Sequence, residues 1–357
     1  MVDQKIREIR INPIIPAESV LIATERGNRP EKKPGSASFD SRSLVSECPF
    51  CRGNENQTPG EILRVPGDGN WQIRVVQNLY PVFGDDHLLS DLNLGVHHVI
   101  DGYGQHEVVI DHANHGIQLY QMEQSHISRI FSLYRDRMKQ LYTANENHRY
   151  VLVFKNFGPA AGGSIAHTHS QIIAMPVVPA NVEMEIDNSR KYFQNQGKCI
   201  FCTLMDESLT YEGTVYDRFS GEQKKRIEVE KYIVEKGDYF VAIKPFASRF
   251  PWEVHILPRQ HCHDYCSISD TECLDLAGVL RRVMLRLHAV LGFVEYNYFL
   301  HSAPAVLKTP EDESSFHWHL ELCPRTTIPN GFELGSGLAI NTVSPERAVE
   351  QLRAVQI

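Results

Sequence analysis

Two sets of cysteines and histidines recur along the chain in the same order, and this repeat limits the possible folds more than any other feature. Each set begins with a Cys-x-x-Cys pair, continues with a histidine and ends in a His-x-His motif at a similar distance. The members are Cys48, Cys51, His115 and His167, followed by Cys199, Cys202, His261 and His317. Two sets with matched spacing indicate a tandem duplication, in which one structural unit occurs twice.

The predicted secondary structure repeats in the same way. Apolar patterning predicts strands at 73–76, 106–110 and 150–154 with a helix at 125–142, then strands at 239–243, 253–257 and 296–300 with a helix at 271–291. We therefore expect an α+β fold of two half-domains, residues 1–190 and 191–357, each mostly antiparallel sheet with a crossover helix. The polar stretch 206–224 lacks periodicity and is predicted to be a loop.

The repeated sets have the composition of metal sites. Thiolates combined with imidazoles suit zinc, and a closed set of four ligands is typical of a structural ion. We expect two zinc ions per chain, because the second set makes redox chemistry at either cysteine pair less favoured. Other histidines compete for the third ligand position, namely His97, His98 and His112 in the first set and His255 and His263 in the second. The unmatched cysteines are predicted to be structural, and they are Cys262, Cys266, Cys273 and Cys323.

The first His-x-His motif is preceded by a loop of small residues. Gly162, Gly163 and Ser164 lack bulky side chains, so their backbone N–H groups could approach an anion closely. A lone pair of histidines would more often be a surface feature of an edge strand. Here the glycines before it and the cysteine pairs elsewhere favour an active site for phosphate chemistry.

The strand after this loop is predicted to carry the chemistry. Residues 171–175 are apolar, and on an extended strand His167 and His169 face the same side. If His167 binds the metal, His169 is free to act as a nucleophile toward phosphorus. Gln171 lies two positions further on and could donate an amide hydrogen bond to a phosphate oxygen.

The second half lacks these features. Residues 311–316 are acidic and contain no glycine, so they would repel a phosphate. After the second His-x-His motif come Leu320 and Glu321, where the first half has Ser170 and Gln171. Catalysis is therefore predicted to belong to the first half.

The charge of the chain limits its partners. A net charge of −8 argues against a protein that binds nucleic acid by broad neutralisation of phosphates, although a nucleotide-sized ligand needs only a few local cations. We see no apolar run long enough to cross a membrane and no basic, apolar leader at the amino terminus. We expect a cytoplasmic protein that binds neither nucleic acid nor membranes.

Eight short segments match, in the same order, those of one known family. They are residues 22–30, 48–55, 74–81, 104–110, 153–156, 167–171, 317–321 and 331–337. Each segment alone is a modest signal, but together they cover nearly the whole chain. The sequence thus resembles the galactose-1-phosphate uridylyltransferases, which belong to the histidine-triad superfamily.

This resemblance implies a reaction and a set of contacts. His169 would attack the α-phosphate of uridine diphosphate glucose, and the uridylyl-His169 intermediate would then pass UMP to galactose 1-phosphate in a ping-pong mechanism. Two histidine-triad-like half-domains and a homodimer are also implied. The implied substrate-binding residues are Arg26 and Arg29 for phosphate, Asn78 and Asn156 for the nucleotide, and Phe332 and Glu333 for the hexose. Without the resemblance, Arg26 and Arg29 fit a solvated turn equally well. Phe332 and Glu333 equally fit the beginning of an ordinary strand.

Two departures from the family pattern leave alternatives open. Thr168 stands between the two histidines where many members have proline, and related adenosine diphosphate glucose phosphorylases also lack proline there. The alternative function is therefore an ADP-glucose phosphorylase or a related adenylyltransferase. Some relatives build their second metal site from His and Glu residues, which His301, His319 and Glu321 could supply. A zinc-stabilised module that binds a nucleotide without turnover is a third hypothesis, against which the intact nucleophile and its neighbouring glutamine argue.

Overall fold

The structure is a computed structural model that describes residues 5–28, 40–67, 69–85, 90–210, 212–216, 220, 223–228, 232–305, 307 and 309–357. Its strands are β1 (Arg7–Ile11), β2 (Ser19–Ala23), β3 (Glu61–Val65), β4 (Ile73–Gln77), β5 (Asp91–Leu94), β6 (His97–Ile100), β7 (Gln105–Ile110), β8 (Tyr150–Phe157), β9 (His169–Met175), β10 (Glu212–Tyr216), β11 (Gln223–Glu228), β12 (Ile233–Lys236), β13 (Phe240–Ile243), β14 (Val254–Pro258), β15 (Tyr296–His301), β16 (His319–Pro324) and β17 (Ala339–Asn341). Its helices are α1 (Gln124–Ala144), α2 (Ala180–Gln196), α3 (Ile200–Thr210), α4 (Asp270–Leu291), α5 (Pro310–Ser315), α6 (Gly331–Ser336) and α7 (Pro345–Arg353). Each strand and long helix predicted from the sequence is present, with shifts of a few residues at the ends.

One antiparallel sheet of ten strands runs through both halves of the chain. Its strand order is β12-β13-β14-β16-β15-β8-β9-β7-β4-β3. Read outward from the central β15–β8 pair, the two halves have the same succession of strands, and Phe154 pairs with Phe299 at the junction. The expected α+β class with a mostly antiparallel sheet is therefore confirmed.

Helices α1 and α4 pack against each other on one face of this sheet. Each helix presents a stripe of apolar residues at intervals of three and four, and such a stripe is buried most readily against a neighbouring apolar face. Helix α4 begins at a capping box formed by Ser269 and Glu272 and ends before Gly292, whose φ of 75° favours glycine. Ile130 and Phe131 of α1 and Leu280 and Val283 of α4 belong to one buried cluster. The two predicted halves thus share a core.

The opposite face of the second half is covered by the amino-terminal segment and by α2 and α3. Strand β2 pairs with β1 and, in parallel, with β17, so the start of the chain lies beside its end. The buried guanidinium of Arg10 donates to the carbonyl of Phe246 at 3.1 Å and to Glu346 at 2.9 Å. The division of the chain near residue 190 stays a prediction, since strands of both halves share one sheet.

The predicted loop at 206–224 is wrong. Helix α3 begins between Cys199 and Cys202 and continues to Thr210, and residues 212–216 and 223–228 form the antiparallel β10–β11 pair. Most apolar residues of this helix lie in its first half, and its mainly polar second half has the composition of a loop. Among the described helices, none has the length and apolar character needed to cross a membrane.

Candidate active site and metal centres

The four residues of the first repeated set come together just before the start of β9. Cys51 Sγ lies 3.5 Å from His115 Nδ1 and 3.6 Å from His167 Nδ1, and Cys48 Sγ is also 3.6 Å from His167 Nδ1. Tetrahedral zinc, with bonds of about 2.3 Å to sulfur and about 2.0 Å to nitrogen, requires sulfur–nitrogen separations of about 3.5 Å. The cluster therefore fits a four-coordinate metal ion.

The surroundings of this cluster also suit a metal. His167 Nε2 donates to the carbonyl of His112 at 2.7 Å, which leaves Nδ1 unprotonated as a ligand must be. Burial raises the pKa of Cys48 to about 11, so its thiolate needs a nearby cation. Of the competing histidines, His112 contributes only its backbone here, and His97 and His98 lie on the separate β5–β6 hairpin.

The second set forms an equivalent cluster beside β16. Cys202 Sγ lies 3.4 Å from His261 Nδ1 and 3.5 Å from His317 Nδ1. The Nε2 atoms of both histidines donate to backbone carbonyls, at 2.9 Å and 3.0 Å. With Cys199, these residues could hold a metal ion in the same way as the first set.

A further group of potential ligands lies on the sheet face of the second half. It consists of Glu185, His301, His319 and Glu321, and a neighbouring group consists of Glu253, His255 and Glu321. The guanidinium of Arg249 donates to both Glu253 and Glu321 and so supplies positive charge there without a metal. A cavity of about 380 Å³ adjoins these groups. His255 therefore belongs to this region and not to the cysteine cluster.

His169 is the first residue of β9 and is buried, whereas His167 precedes the strand. His169 Nδ1 donates to the carbonyl of His167 at 2.7 Å, so the unprotonated Nε2 is available on the other side of the ring. Burial lowers the pKa of His169, which keeps the imidazole neutral near pH 7. A neutral ring with a free Nε2 is the form in which histidine can attack phosphorus.

A buried polar network fixes the backbone around His169 from below. Lys155 Nζ donates to Asp111 Oδ2 at 2.5 Å, to Thr168 Oγ1 at 2.7 Å and to the carbonyl of His169 at 2.9 Å. Ser170 Oγ donates to the other carboxylate oxygen of Asp111 at 2.6 Å. Sequence reasoning missed this network, although a lysine in the middle of an apolar strand was the available signal.

The glycine loop has a different role from the one predicted. The N–H of Gly162 donates to the carbonyl of Pro159 at 3.0 Å, and that of Gly163 to Gly158 at 2.9 Å, so neither is free for a phosphate. A Cβ on Gly163 would lie 2.9 Å from the carbonyl oxygen of Asn156, and Gly162 has a φ of 81°. These glycines are required by the tight turn. In the described chain, the N–H of exposed Ser164 has no acceptor.

Gln171 and Asn78 meet at a histidine that sequence reasoning did not select. His106 Nε2 lies 2.7 Å from Gln171 Oε1 and 3.0 Å from Asn78 Nδ2. His106 is on β7, next to β9, and its ring lies on the sheet face that carries His169. Asn156 lies on β8, where its side-chain oxygen accepts a hydrogen bond from Asn297 at 2.8 Å.

The other predicted substrate-binding residues lie apart from this strand. Arg26 is exposed in a short 3-10 helix after β2, and Arg29 lies outside the described residues. Phe332 is exposed on α6, and Glu333 accepts from the N–H of Asn330 at the start of that helix. These two residues therefore lie in a short helix and not at the beginning of a strand.

Comparisons with known proteins agree with this geometry. Residues 93–179 match the family model described as "Galactose-1-phosphate uridyl transferase, N-terminal domain". The ADP-glucose phosphorylase of Arabidopsis thaliana is 31% identical over 360 residues, which cover 100% of this chain and 95% of that protein. The galactose-1-phosphate uridylyltransferase of Thermotoga maritima is 26% identical over 357 residues, covering 98% and 99% of the two chains. A crystal structure of the Arabidopsis thaliana ADP-glucose phosphorylase with bound ADP-glucose has a TM-score of 0.81 at 29% identity and 99% coverage of both chains.

The fold, the histidine strand beside a candidate metal cluster and these relatives define a nucleotidyltransferase that acts on sugar phosphates. More narrowly, the chain belongs to the galactose-1-phosphate uridylyltransferase family.

Proposed function

We propose that this protein transfers a nucleotidyl group from a nucleoside diphosphate glucose to an acceptor phosphate through a covalent nucleotidyl-His169 intermediate. The observation that supports this proposal most strongly is the neutral imidazole of His169, whose Nδ1 donates to the carbonyl of His167 and whose Nε2 has no hydrogen-bond partner among the described residues. The adjoining Cys2His2 cluster and the Lys155 network hold both ends of the short segment that presents the ring.

In the first half-reaction, His169 Nε2 attacks the α-phosphorus of the nucleotide sugar. A nitrogen–phosphorus bond forms, the bond from the α-phosphorus to the bridging oxygen breaks, and glucose 1-phosphate leaves with that oxygen. Gln171 donates to an oxygen of the α-phosphate as negative charge builds up. Ser164 and Asn78 are proposed to bind the remaining phosphate and nucleotide groups.

In the second half-reaction, an oxygen of the acceptor phosphate attacks the same phosphorus atom and releases His169. We propose ADP-glucose as the donor and inorganic phosphate as the acceptor, so that the products are ADP and glucose 1-phosphate. The support is the full-length likeness to a protein named ADP-glucose phosphorylase and the threonine between the two histidines. From the sequence we expected uridylyl transfer first and an ADP-glucose phosphorylase as the alternative. The present proposal puts the phosphorylase first.

The second candidate is the uridylyl transfer from UDP-glucose to galactose 1-phosphate. It is favoured by the family model that matches residues 93–179 and by the full-length relative from Thermotoga maritima. Both reactions would use His169 as the nucleophile. They differ in the base of the nucleotide and in the acceptor. Arg26, Arg29, Asn156, Phe332 and Glu333 remain proposed contacts for either substrate.

Zinc is the metal we propose for the two Cys2His2 clusters, with one ion in each. It would act as a structural ion, because four protein ligands leave no position for substrate. We also propose a homodimer. The β5–β6 hairpin supports this, since Leu92, Leu94, Val96 and Val99 are all exposed on it and would be buried by a partner.

Intact-mass spectrometry tests the proposal directly. The protein is mixed in separate reactions with ADP-glucose and with UDP-glucose, and the mass of the covalent adduct identifies the nucleotide. We expect an AMP adduct that inorganic phosphate removes with release of ADP. A UMP adduct that galactose 1-phosphate removes would favour the second candidate, and the absence of an adduct with both donors would contradict both.

A further inference from the structure

The ring of His106 has three polar neighbours, and one of them is a backbone group. Val82 N–H lies 3.2 Å from His106 Nδ1, and on the other side of the ring Gln171 Oε1 and Asn78 Nδ2 lie 2.7 Å and 3.0 Å from Nε2. A backbone N–H can only donate and cannot exchange its ends as an amide side chain can. It therefore determines the protonation pattern of the ring.

The donor at Val82 requires that Nδ1 be the unprotonated nitrogen of His106. Burial also lowers the pKa of this histidine, so that the ring carries a single hydrogen near neutral pH. That hydrogen must be on Nε2, because a neutral imidazole has one donor and one acceptor. His106 Nε2 is thus a donor.

The donor on His106 fixes the orientation of the Gln171 amide. A hydrogen on His106 Nε2 needs an acceptor, and Gln171 can offer only its carbonyl oxygen, Oε1. The amide nitrogen of Gln171 is then turned away from His106. Within the described chain this nitrogen has no acceptor, and the side chain emerges on the sheet face that carries His169. Its two hydrogens remain for an oxygen of a bound ligand.

The same proton leaves the amide nitrogen of Asn78 free. Asn78 Oδ1 accepts from Tyr80 N–H at 2.8 Å, which holds the amide so that Nδ2 faces the ring. Because His106 Nε2 carries a hydrogen, it cannot accept one from Asn78. Both amides that contact His106 therefore retain N–H groups for a substrate.

We infer that His106 is a positioning residue that orients the amide of Gln171 so that its N–H groups donate to the phosphate-bearing substrate, beside the Asn78 amide that Tyr80 holds. Without it, the amide of Gln171 could rotate and present its oxygen to an anionic oxygen, which would be repulsive. This inference rests on the proposed function, because it assumes that phosphate is bound beside His169. The tautomer on which it depends is a property of the free protein.

Nitrogen NMR of the free protein tests the tautomer without any reaction. We expect the ring of His106, assigned by comparison with His106→Phe, to show a protonated Nε2 and an unprotonated Nδ1 at pH 7. A protonated Nδ1 would overturn the inference. This result is independent of whether the protein transfers a nucleotide.

Single-turnover formation of nucleotidyl-His169 tests the role in transfer. We expect His106→Phe, which keeps a ring of similar size, to slow this step about 10- to 100-fold, somewhat less than deletion of one phosphate donor. His106→Gln can place an amide N–H near the position of Nε2, and it should restore most of the rate. In a Gln171→Ala background, His106→Phe should cause a much smaller loss, since the two residues act through one contact.

A matched control is His148→Phe, which removes another buried histidine, one whose Nδ1 donates to the carbonyl of Leu141 away from this site. It should leave the transfer rate unchanged. Wild-type rates in His106→Phe, or an undiminished effect in the Gln171→Ala background, would overturn the inference while the adduct still formed. If the wild-type protein formed no adduct, the proposed function would be the part that failed.

Discussion

The two halves of the sheet have the same construction and different chemistry. Counted outward from the Phe154–Phe299 pair, His319 occupies the position of His169, and both rings donate Nδ1 to the carbonyl of the preceding metal-cluster histidine. Each half also has its Cys2His2 cluster. The arrangement that holds a histidine at the start of a strand is therefore common to both, and it does not by itself make a catalyst.

The differences lie immediately around these two histidines. The backbone around His169 is held by the network of Lys155, Asp111 and Ser170. The corresponding residues of the second half are Leu300, Pro258 and Leu320. On the open face, Gln171 and His106 correspond to Glu321 and Glu253, two buried carboxylates. Those carboxylates pair with Arg249 and do not offer donors to a phosphate, so the second half is suited to structural support.

The largest effect is expected from replacing His169, and a much smaller one from replacing His319. We expect His169→Asn to abolish adduct formation, with a loss of at least about 10⁴ in rate, because no other group can form the covalent bond. His319→Asn should retain activity within a few-fold. Intact-mass spectrometry and steady-state rates measure both. Activity of His169→Asn above about a tenth of wild type, only about 1.4 kcal/mol of barrier, would contradict the assignment.

Loss of a ligand from either metal cluster should lower stability. Only loss from the first cluster should strongly impair the transfer reaction. Cys48→Ser and Cys199→Ser should each lower the metal content from about two ions to about one and reduce the melting temperature, because structural zinc binding is coupled to folding. Only Cys48→Ser should also impair transfer strongly, since His167 then no longer anchors the segment that presents His169. Elemental analysis, melting curves and single-turnover rates are compared. A metal-free protein of full stability would rule out both clusters as zinc sites.

The network beneath His169 should make the first half more sensitive to loss of one residue. Lys155→Met leaves the carboxylate of Asp111 buried without its partner, and such a change costs about 3–5 kcal/mol of unfolding free energy. The corresponding change in the second half, Leu300→Met, conserves volume and should cost less than about 1.5 kcal/mol. Urea denaturation measures both. Equal losses would mean that the ionic network is not what distinguishes the halves.

The residue on the open face two positions after each histidine is Gln171 in the first half and Glu321 in the second. Gln171→Ala removes one donor to phosphate and should slow adduct formation about 10²–10³-fold, which is about 2.7–4 kcal/mol. Gln171→Glu, which supplies the residue found at 321, should be slower than Gln171→Ala because its carboxylate repels the phosphate. A rate for Gln171→Glu equal to wild type would show that charge at this position is unimportant.

The repeated features could be predicted because they are local in sequence or periodic. The cysteine pairs, the His-x-His motifs and the long helices carry patterns that survive without knowledge of the fold. The role of Gly162 and Gly163 could not be predicted, since the carbonyls that occupy their N–H groups become neighbours only in the folded turn. His106 and Lys155 were missed for the same reason, because each acquires its partners from distant parts of the chain.

The pairing of β2 with β17 has a consequence for synthesis on the ribosome. Residues 19–23 leave the ribosome long before the strand beside which they lie, residues 339–341. Domains usually begin to fold while they are being translated. The amino-terminal segment therefore cannot complete its sheet until residues 339–341 have been translated, and until then Val20 and Ile22 lack the strand beside which they are buried.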